Sequence, residues 1–78
     1  KIHLLFVNKN HTHHVNEMIT NPDQVVEVFK AIKEYTESTD LIKEGFRVVT
    51  NLGPNARQSV FHTHFHVLGG ELLGGFGK

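Results

Sequence analysis

The chain has 78 residues, of which 38% are hydrophobic and 21% are charged, and it contains no cysteine. These 78 residues make one small domain at most. Eight Lys and Arg residues balance eight Asp and Glu residues, so no basic patch is large enough to suggest nucleic-acid binding. No apolar run approaches the roughly 20 residues that cross a bilayer. We expect one soluble, cytoplasmic domain over residues 1–78, with neither nucleic acid nor membrane as a partner.

The first predicted element is a strand over Ile2–Val7, which is apolar on both faces apart from His3. Such a strand needs cover on both faces and partners along both edges. A domain this small without disulfides has a thin core and often depends on oligomerisation. We therefore expect a second subunit or a further N-terminal segment to cover this strand.

A polar loop follows at residues 8–14 and carries His11, His13 and His14. For His13 and His14 we expect an ordinary solvated loop, or a surface cluster that binds metal adventitiously. The next residues, 15–19, are predicted to form a short helical turn.

The clearest predicted helix covers residues 22–38. Asn21 is a suitable N-cap residue, Pro22 suits the first helical position, and Gln24 stands where a capping box requires a glutamine. Apolar residues recur with helical spacing, which predicts one face packed on a sheet. These residues are Val25, Val28, Phe29, Ile32 and Tyr35.

After a predicted helical turn at residues 40–44, Phe46–Asn51 has the composition of a strand, and a turn-rich loop of about six residues leads into the next strand. Two strands joined in this way are expected to be antiparallel neighbours. That arrangement brings Asn51, Gln58 and Ser59 to the same end of the sheet.

The last strand carries three histidines with alternating spacing. Because side chains alternate between the faces of a strand at about 3.3 Å per residue, His62, His64 and His66 are predicted to form a row on one face, roughly 6.6 Å apart. The opposite, core-facing side is predicted to carry Phe61, Phe65 and Val67.

Two kinds of site use such a row of imidazoles. Neighbouring rings can bind one Zn²⁺, or one ring can attack the phosphorus of a phosphate while its neighbours donate hydrogen bonds and protons. Gln58 and Ser59 precede the row and offer an amide and a hydroxyl. These groups suit phosphate oxygens and a leaving group, so they favour the phosphate site over zinc.

The run Gln58-Ser59-Val60-x-His62-x-His64-x-His66-Val67-Leu68-Gly69-Gly70 resembles the signature of the histidine triad (HIT) family, specifically its histidine triad nucleotide-binding branch. Two upstream segments are also similar to that branch, Leu4-Leu5-Phe6-Val7-x-x-x-His11 and Gly45-Phe46-Arg47-Val48-Val49-x-Asn51-x-Gly53. The resemblance covers residues 2–70.

The resemblance implies an α+β fold, an antiparallel sheet with one main helix packed on one face, and a homodimer. The family's N-terminal helix and first strands have no counterpart before Lys1. We therefore expect residues 1–78 to be the C-terminal catalytic portion of a HIT domain.

The resemblance also implies a nucleotide hydrolase or transferase that acts at the α-phosphate of purine nucleoside phosphoramidates and related mononucleotide conjugates, with no cofactor or metal required. His64 matches the nucleophile that forms a nucleotidyl-histidine intermediate, and His66 matches the residue that assists at the phosphate and leaving group. The remaining matched positions orient the site or lie near the phosphate: His62, His11, Asn51, Gln58 and Ser59.

Two alternative functions remain open. One is a nucleotide-binding or interaction module without turnover. The other is a zinc protein that uses the His62, His64 and His66 row or the histidines of the 8–14 loop.

One departure from the family pattern lies inside the histidine row. Thr63 stands where the pattern prefers an apolar residue, so the core-facing side of the strand has one polar position. Its hydroxyl can form a hydrogen bond and remain at this position, at some packing cost.

Overall fold

The computed structural model describes residues 1–75 and confirms the α+β fold with an antiparallel sheet. The final residues of the predicted domain, 76–78, lie outside the described residues. The elements in chain order are β1 (Ile2–Val7), α1 (Val15–Met18), α2 (Pro22–Glu37), α3 (Leu41–Glu44), β2 (Phe46–Val49), a 3₁₀ turn (Pro54–Ala56) and β3 (His64–Gly69). All three predicted helical segments are confirmed to within one residue at either end.

The histidine-bearing strand β3 lies in the middle of the sheet. The strand order is β1-β3-β2, and both pairs are antiparallel. Leu5 of β1 and Val49 of β2 therefore lie on either side of His66. The predicted pairing of β2 with β3 is confirmed, although β2 ends at Val49 and the connection to β3 is longer than expected, running through residues 50–63.

The core lies between α2 and one face of the sheet. Phe65 and Val67 of β3 are buried against Val28 and Ile32 of α2, as the helical spacing predicts. Phe29 is partly exposed, but its ring still meets that of Phe65 edge to face at a centroid distance of 5.4 Å. This packing covers one face of the sheet and leaves the histidine side to solvent.

The predicted capping box at the start of α2 is wrong. The Asn21 side chain makes no cap hydrogen bond, and the side-chain oxygen of Gln24 accepts from Asn8 Nδ2 at 2.8 Å. The Gln24 side chain therefore bonds to Asn8, in the loop after β1, instead of capping the start of α2.

The strand β1 has a half-buried face and an exposed face. Ile2, Leu4 and Phe6 point towards the helices, whereas Leu5 and Val7 are exposed. Within residues 1–75, β1 pairs along one edge only, with β3. The predicted need for cover on both faces and partners along both edges is therefore not met among the described residues.

None of the helices in the described part of the chain has the length and apolar composition needed to cross a bilayer.

Gly69 closes β3 at a point where two segments approach closely. A Cβ added there would meet Leu41 Cδ2 at 2.6 Å and the Gly45 carbonyl oxygen at 3.3 Å, and Leu41 is itself buried. We expect Gly69→Ala to lower the free energy of unfolding by about 1–3 kcal/mol, as overpacking does. Urea denaturation measures this loss. Gly74→Ala is the matched control because a Cβ at Gly74 meets nothing within 4 Å; equal losses in both variants would contradict the overpacking argument.

Candidate active site

Two of the three row histidines lie on β3 as predicted, and the third lies just before it. The rings of His64 and His66 are on the open face of the sheet with their centroids 5.1 Å apart, whereas β3 begins only at His64. The prediction that His62 lies on the strand is therefore wrong. The reason is a contact with a distant segment: the Thr63 amide donates to the carbonyl of Thr12 at 2.8 Å, so this segment pairs with the loop after β1 instead of continuing the sheet.

Because β3 begins later than predicted, the position of Phe61 was also predicted wrongly. It was predicted to share the core face with Phe65, yet it is 62% exposed while Phe65 is 3% exposed. Strand alternation therefore does not extend to Phe61, and the core face begins at Thr63.

A main-chain contact fixes the protonation of His64. Its Nδ1 lies 2.8 Å from the carbonyl oxygen of His62. A carbonyl oxygen only accepts, so Nδ1 must carry the proton in this contact. In the neutral imidazole the other nitrogen, Nε2, then has the lone pair. The lone pair of His64 is therefore at Nε2.

His62 is held in the opposite tautomer. Its Nε2 lies 2.9 Å from the carbonyl oxygen of Asn8 and must donate to it. Its Nδ1, which is an acceptor in the neutral ring, lies 3.2 Å from His11 Nδ1. The structure thus brings His11 and His62 together, at the end of the row away from His66.

His3 is a site residue that sequence reasoning missed. Its Nε2 lies 2.8 Å from His66 Nδ1, and the two ring centroids are 5.0 Å apart. The register explains the contact, because His3 and Leu5 neighbour His66 on the same face of the β1 and β3 pair. The available signal was a single polar residue in an otherwise apolar strand.

The surroundings of His66 lower its pKa below the ordinary histidine value. The main cause of the lowered pKa is burial, which disfavours the charged ring, and electrostatic repulsion from the neighbouring His64 and His3 rings adds to it. His66 is therefore neutral at neutral pH, with a ring nitrogen able to accept a proton.

This shift predicts a pH dependence of stability. A lowered histidine pKa means that the unfolded chain binds the proton more readily, so the free energy of unfolding should fall as pH drops below about 6.5. Urea denaturation at about pH 7.5 and about pH 5.5 measures the change. In His66→Gln this contribution is removed, and the variant should lose less stability than the parent over the same interval. An equal loss in both proteins would show that His66 does not titrate in this way.

The predicted phosphate-side residues all lie in the connection between β2 and β3. Thr50 donates its hydroxyl to the carbonyl of His64 at 2.8 Å, which places the following residue, Asn51, beside the start of β3. The side-chain amide of Gln58 joins two loops. Its oxygen accepts from the Gly53 backbone amide at 2.9 Å, and its nitrogen donates to the His13 carbonyl at 2.6 Å. Ser59 is exposed.

A shallow hollow of about 120 Å³ lies in front of the row, lined by Leu5, Val7, Val60, His62 and His64. Two larger hollows, of about 300 and 480 Å³, lie elsewhere, between β1 and α2 and beside the residues after β3. We place the candidate site at the smaller hollow because it alone of the three is lined by the row histidines.

The other loop histidines serve the local structure. His14 caps α1 by accepting from the Glu17 amide, and His13 pairs with the Glu17 carboxylate at 3.1 Å. Within residues 1–75, no group of three or more His, Asp or Glu side chains is arranged to hold a metal ion.

Comparison with known protein families bears on this arrangement of histidines. The sequence profile of the HIT domain matches residues 1–72, which is most of the chain. The chain belongs to the HIT domain family.

Individual relatives of this HIT chain agree in sequence and in fold. An uncharacterised HIT-like protein of Rickettsia prowazekii is 32% identical over 74 residues, covering 92% of this chain and 62% of the relative. A solved HIT family hydrolase of Clostridium thermocellum is 35% identical with a TM-score of 0.85, covering 95% of this chain and 65% of that structure. The chain thus spans a little under two thirds of the length of these two proteins.

A further relative carries a different description. A 14 kDa zinc-binding protein of Brassica juncea is 55% identical over 32 residues, covering 41% of this chain and 28% of the relative.

Proposed function

We propose that this HIT chain is the catalytic portion of a nucleotide hydrolase or transferase of the histidine triad nucleotide-binding branch. Its substrate class is a purine mononucleotide conjugate, with a nucleoside phosphoramidate as the type case. The observation that carries the proposal is the contact of His64 Nδ1 with the His62 carbonyl at 2.8 Å. It leaves the Nε2 lone pair for attack on phosphorus.

In the first step, His64 Nε2 attacks the α-phosphorus and forms a P–N bond, while the bond from phosphorus to the leaving nitrogen breaks. The leaving nitrogen takes the electron pair of that bond and needs a proton. The His3 and His66 pair enters this step with one proton more than two neutral rings hold, and it supplies that proton. His66 Nε2 donates to the leaving nitrogen while His3 Nε2 passes a proton to His66 Nδ1 across their 2.8 Å contact, which leaves both rings neutral.

In the second step, water attacks the nucleotidyl-histidine, the P–N bond to His64 breaks, and the mononucleotide leaves. The His3 and His66 pair takes back the proton that water loses. The lowered pKa of His66 suits this role, because a neutral imidazole is required to accept that proton.

His62 and His11 act on the phosphate side in this proposal, with Asn51, Gln58 and Ser59 near the phosphate oxygens. Donors that are already in place stabilise charge as it develops in the transition state. The mechanism requires no cofactor, because the histidines provide both the nucleophile and the proton transfer. We further propose that the protein acts as a cytoplasmic homodimer.

Intact-mass spectrometry tests the covalent step. Chelator-treated protein is mixed with an adenosine phosphoramidate and quenched in base, because acid destroys a phosphoramidate adduct. We expect a nucleotidyl mass increment on the parent chain and none on His64→Ala. A folded parent chain that binds the mononucleotide without forming the adduct would overturn the enzymatic proposal in favour of a nucleotide-binding module.

Zinc binding is the second candidate function, and one distance favours it. His11 Nδ1 and His62 Nδ1 are 3.2 Å apart, close to the roughly 3.4 Å between two nitrogen ligands of a tetrahedral Zn²⁺. The zinc-binding relative from Brassica juncea adds to this reading. Stoichiometric zinc in protein purified without a metal column, and lost in His11→Ala, would favour the zinc function.

A further inference from the structure

A chain of buried polar side chains lies directly beneath the histidine row. Asn8, Thr12 and Thr63 are 3%, 7% and 1% exposed, and we call them the buried amide–hydroxyl chain. Among the described residues, every buried side-chain nitrogen and oxygen has a hydrogen-bond partner. The buried polar atoms of the amide–hydroxyl chain therefore all have hydrogen-bond partners.

The members of this chain are joined by hydrogen bonds. Thr63 Oγ1 lies 3.2 Å from the carbonyl oxygen of Thr12 and 2.6 Å from Thr12 Oγ1, a contact in which either hydroxyl can be the donor. Thr12 Oγ1 in turn accepts from Asn8 Nδ2 at 3.2 Å. The same amide nitrogen donates to Gln24 Oε1 of α2 at 2.8 Å. Helix α2 is thus connected through three bonds to the residue between His62 and His64.

The buried amide–hydroxyl chain also holds both main-chain acceptors of the row. The carbonyl of Asn8 accepts from His62 Nε2 at 2.9 Å. Thr63 separates His62 from His64, and its position sets where the His62 carbonyl meets His64 Nδ1 at 2.8 Å. Both ring contacts thus use main-chain carbonyls of residues that belong to the buried amide–hydroxyl chain or adjoin it in sequence.

Packing alone does not account for a threonine at this position. Thr63 shares its face with Phe65 and Val67, and all three are buried. A valine would fill nearly the same volume without a hydroxyl that must find partners. Buried polar networks that are fully satisfied rigidify a structure and specify one arrangement.

We propose that the buried amide–hydroxyl chain is a positioning device that fixes the opposite tautomers of His62 and His64. The hydroxyl of Thr63 is its last member and acts through the backbone rather than by touching substrate. The consequence for turnover rests on the proposed function; the consequence for the tautomers does not.

Long-range ¹H–¹⁵N NMR of the neutral imidazoles, without substrate, tests the proposal. In the parent chain we expect the Nδ1–H form of His64 and the Nε2–H form of His62 to dominate by about tenfold, the ratio that one hydrogen bond sets. Thr63→Val should lower both ratios by about threefold or more, because the acceptors shift. Thr63→Ser keeps the hydroxyl and should restore them.

The matched control is Thr36→Val. Thr36 is also a buried threonine whose hydroxyl donates to a carbonyl, that of Ile32 within α2, but it lies outside the buried amide–hydroxyl chain. It should leave both tautomer ratios at the parent value. Parent ratios in Thr63→Val, or an equal shift in Thr36→Val, would overturn the proposal. If Thr63→Val does not fold, Thr12→Val removes the middle hydroxyl and carries the same expectation.

Turnover gives the second measurement. If His64 is the nucleophile, Thr63→Val should lower kcat by about 10- to 100-fold with KM little changed, since misplacement of a reacting group affects the chemical step. A tautomer shift without any parent activity would count against the proposed function alone. Parent activity without a tautomer shift would count against the positioning device alone.

Discussion

His64→Gly should lower the rate of phosphoramidate hydrolysis by about 10⁴-fold or more, since loss of the nucleophile removes the covalent route. Added imidazole should restore part of the lost rate. The removed ring leaves space in the hollow that His64 lines, and a free imidazole there can attack phosphorus in its place. Steady-state rates with and without imidazole measure both effects.

His14→Asn is the control for this experiment. His14 caps α1 through its side chain, and asparagine is also a favoured N-cap residue, so the variant loses an imidazole while the cap is kept. It should retain the parent rate and show no response to imidazole. If His64→Gly keeps more than about a tenth of the parent rate, a covalent role for His64 is excluded.

The second large effect concerns the core beneath the site. Phe65→Ala should lower the free energy of unfolding by about 3–5 kcal/mol, because Phe65 is 3% exposed and packs against Phe29. Small domains have only about 5–15 kcal/mol in total, so this variant should be largely destabilised near 37 °C. Thermal and urea denaturation measure the loss.

Phe61→Ala provides a control in the same segment. Phe61 is 62% exposed, so its truncation should change the free energy of unfolding by no more than about 0.5 kcal/mol. A large loss in Phe61→Ala would show that this ring is buried in solution, against a surface that residues 1–75 do not provide.

These two phenylalanines show how far the sequence could predict the fold. Alternation correctly assigned Phe65 and Val67 to the core, and helical spacing correctly assigned Val28 and Ile32, because each pattern follows from the geometry of one element. Phe61 was assigned wrongly because the start of β3 is decided by the pairing of Thr63 with Thr12. Pairing between distant segments leaves no signal in local alternation.

The candidate site was predictable to a similar extent. The grouping of His64 with His66 follows from their spacing on one strand. The contact of His3 with His66 depends on the register between β1 and β3, and no local pattern specifies a register. The side-chain partner of Gln24 was missed for the same reason, since Asn8 reaches it only in the folded chain.

The central place of β3 in the sheet divides the site into parts of unequal local stability. His64 and His66 lie on a strand that is paired along both edges, and amides in such a strand exchange with solvent only through extensive unfolding. His11 and His62 lie in connecting segments, which open at lower free-energy cost. Local opening should therefore begin at the His11 and His62 end of the row while the end at His66 stays folded.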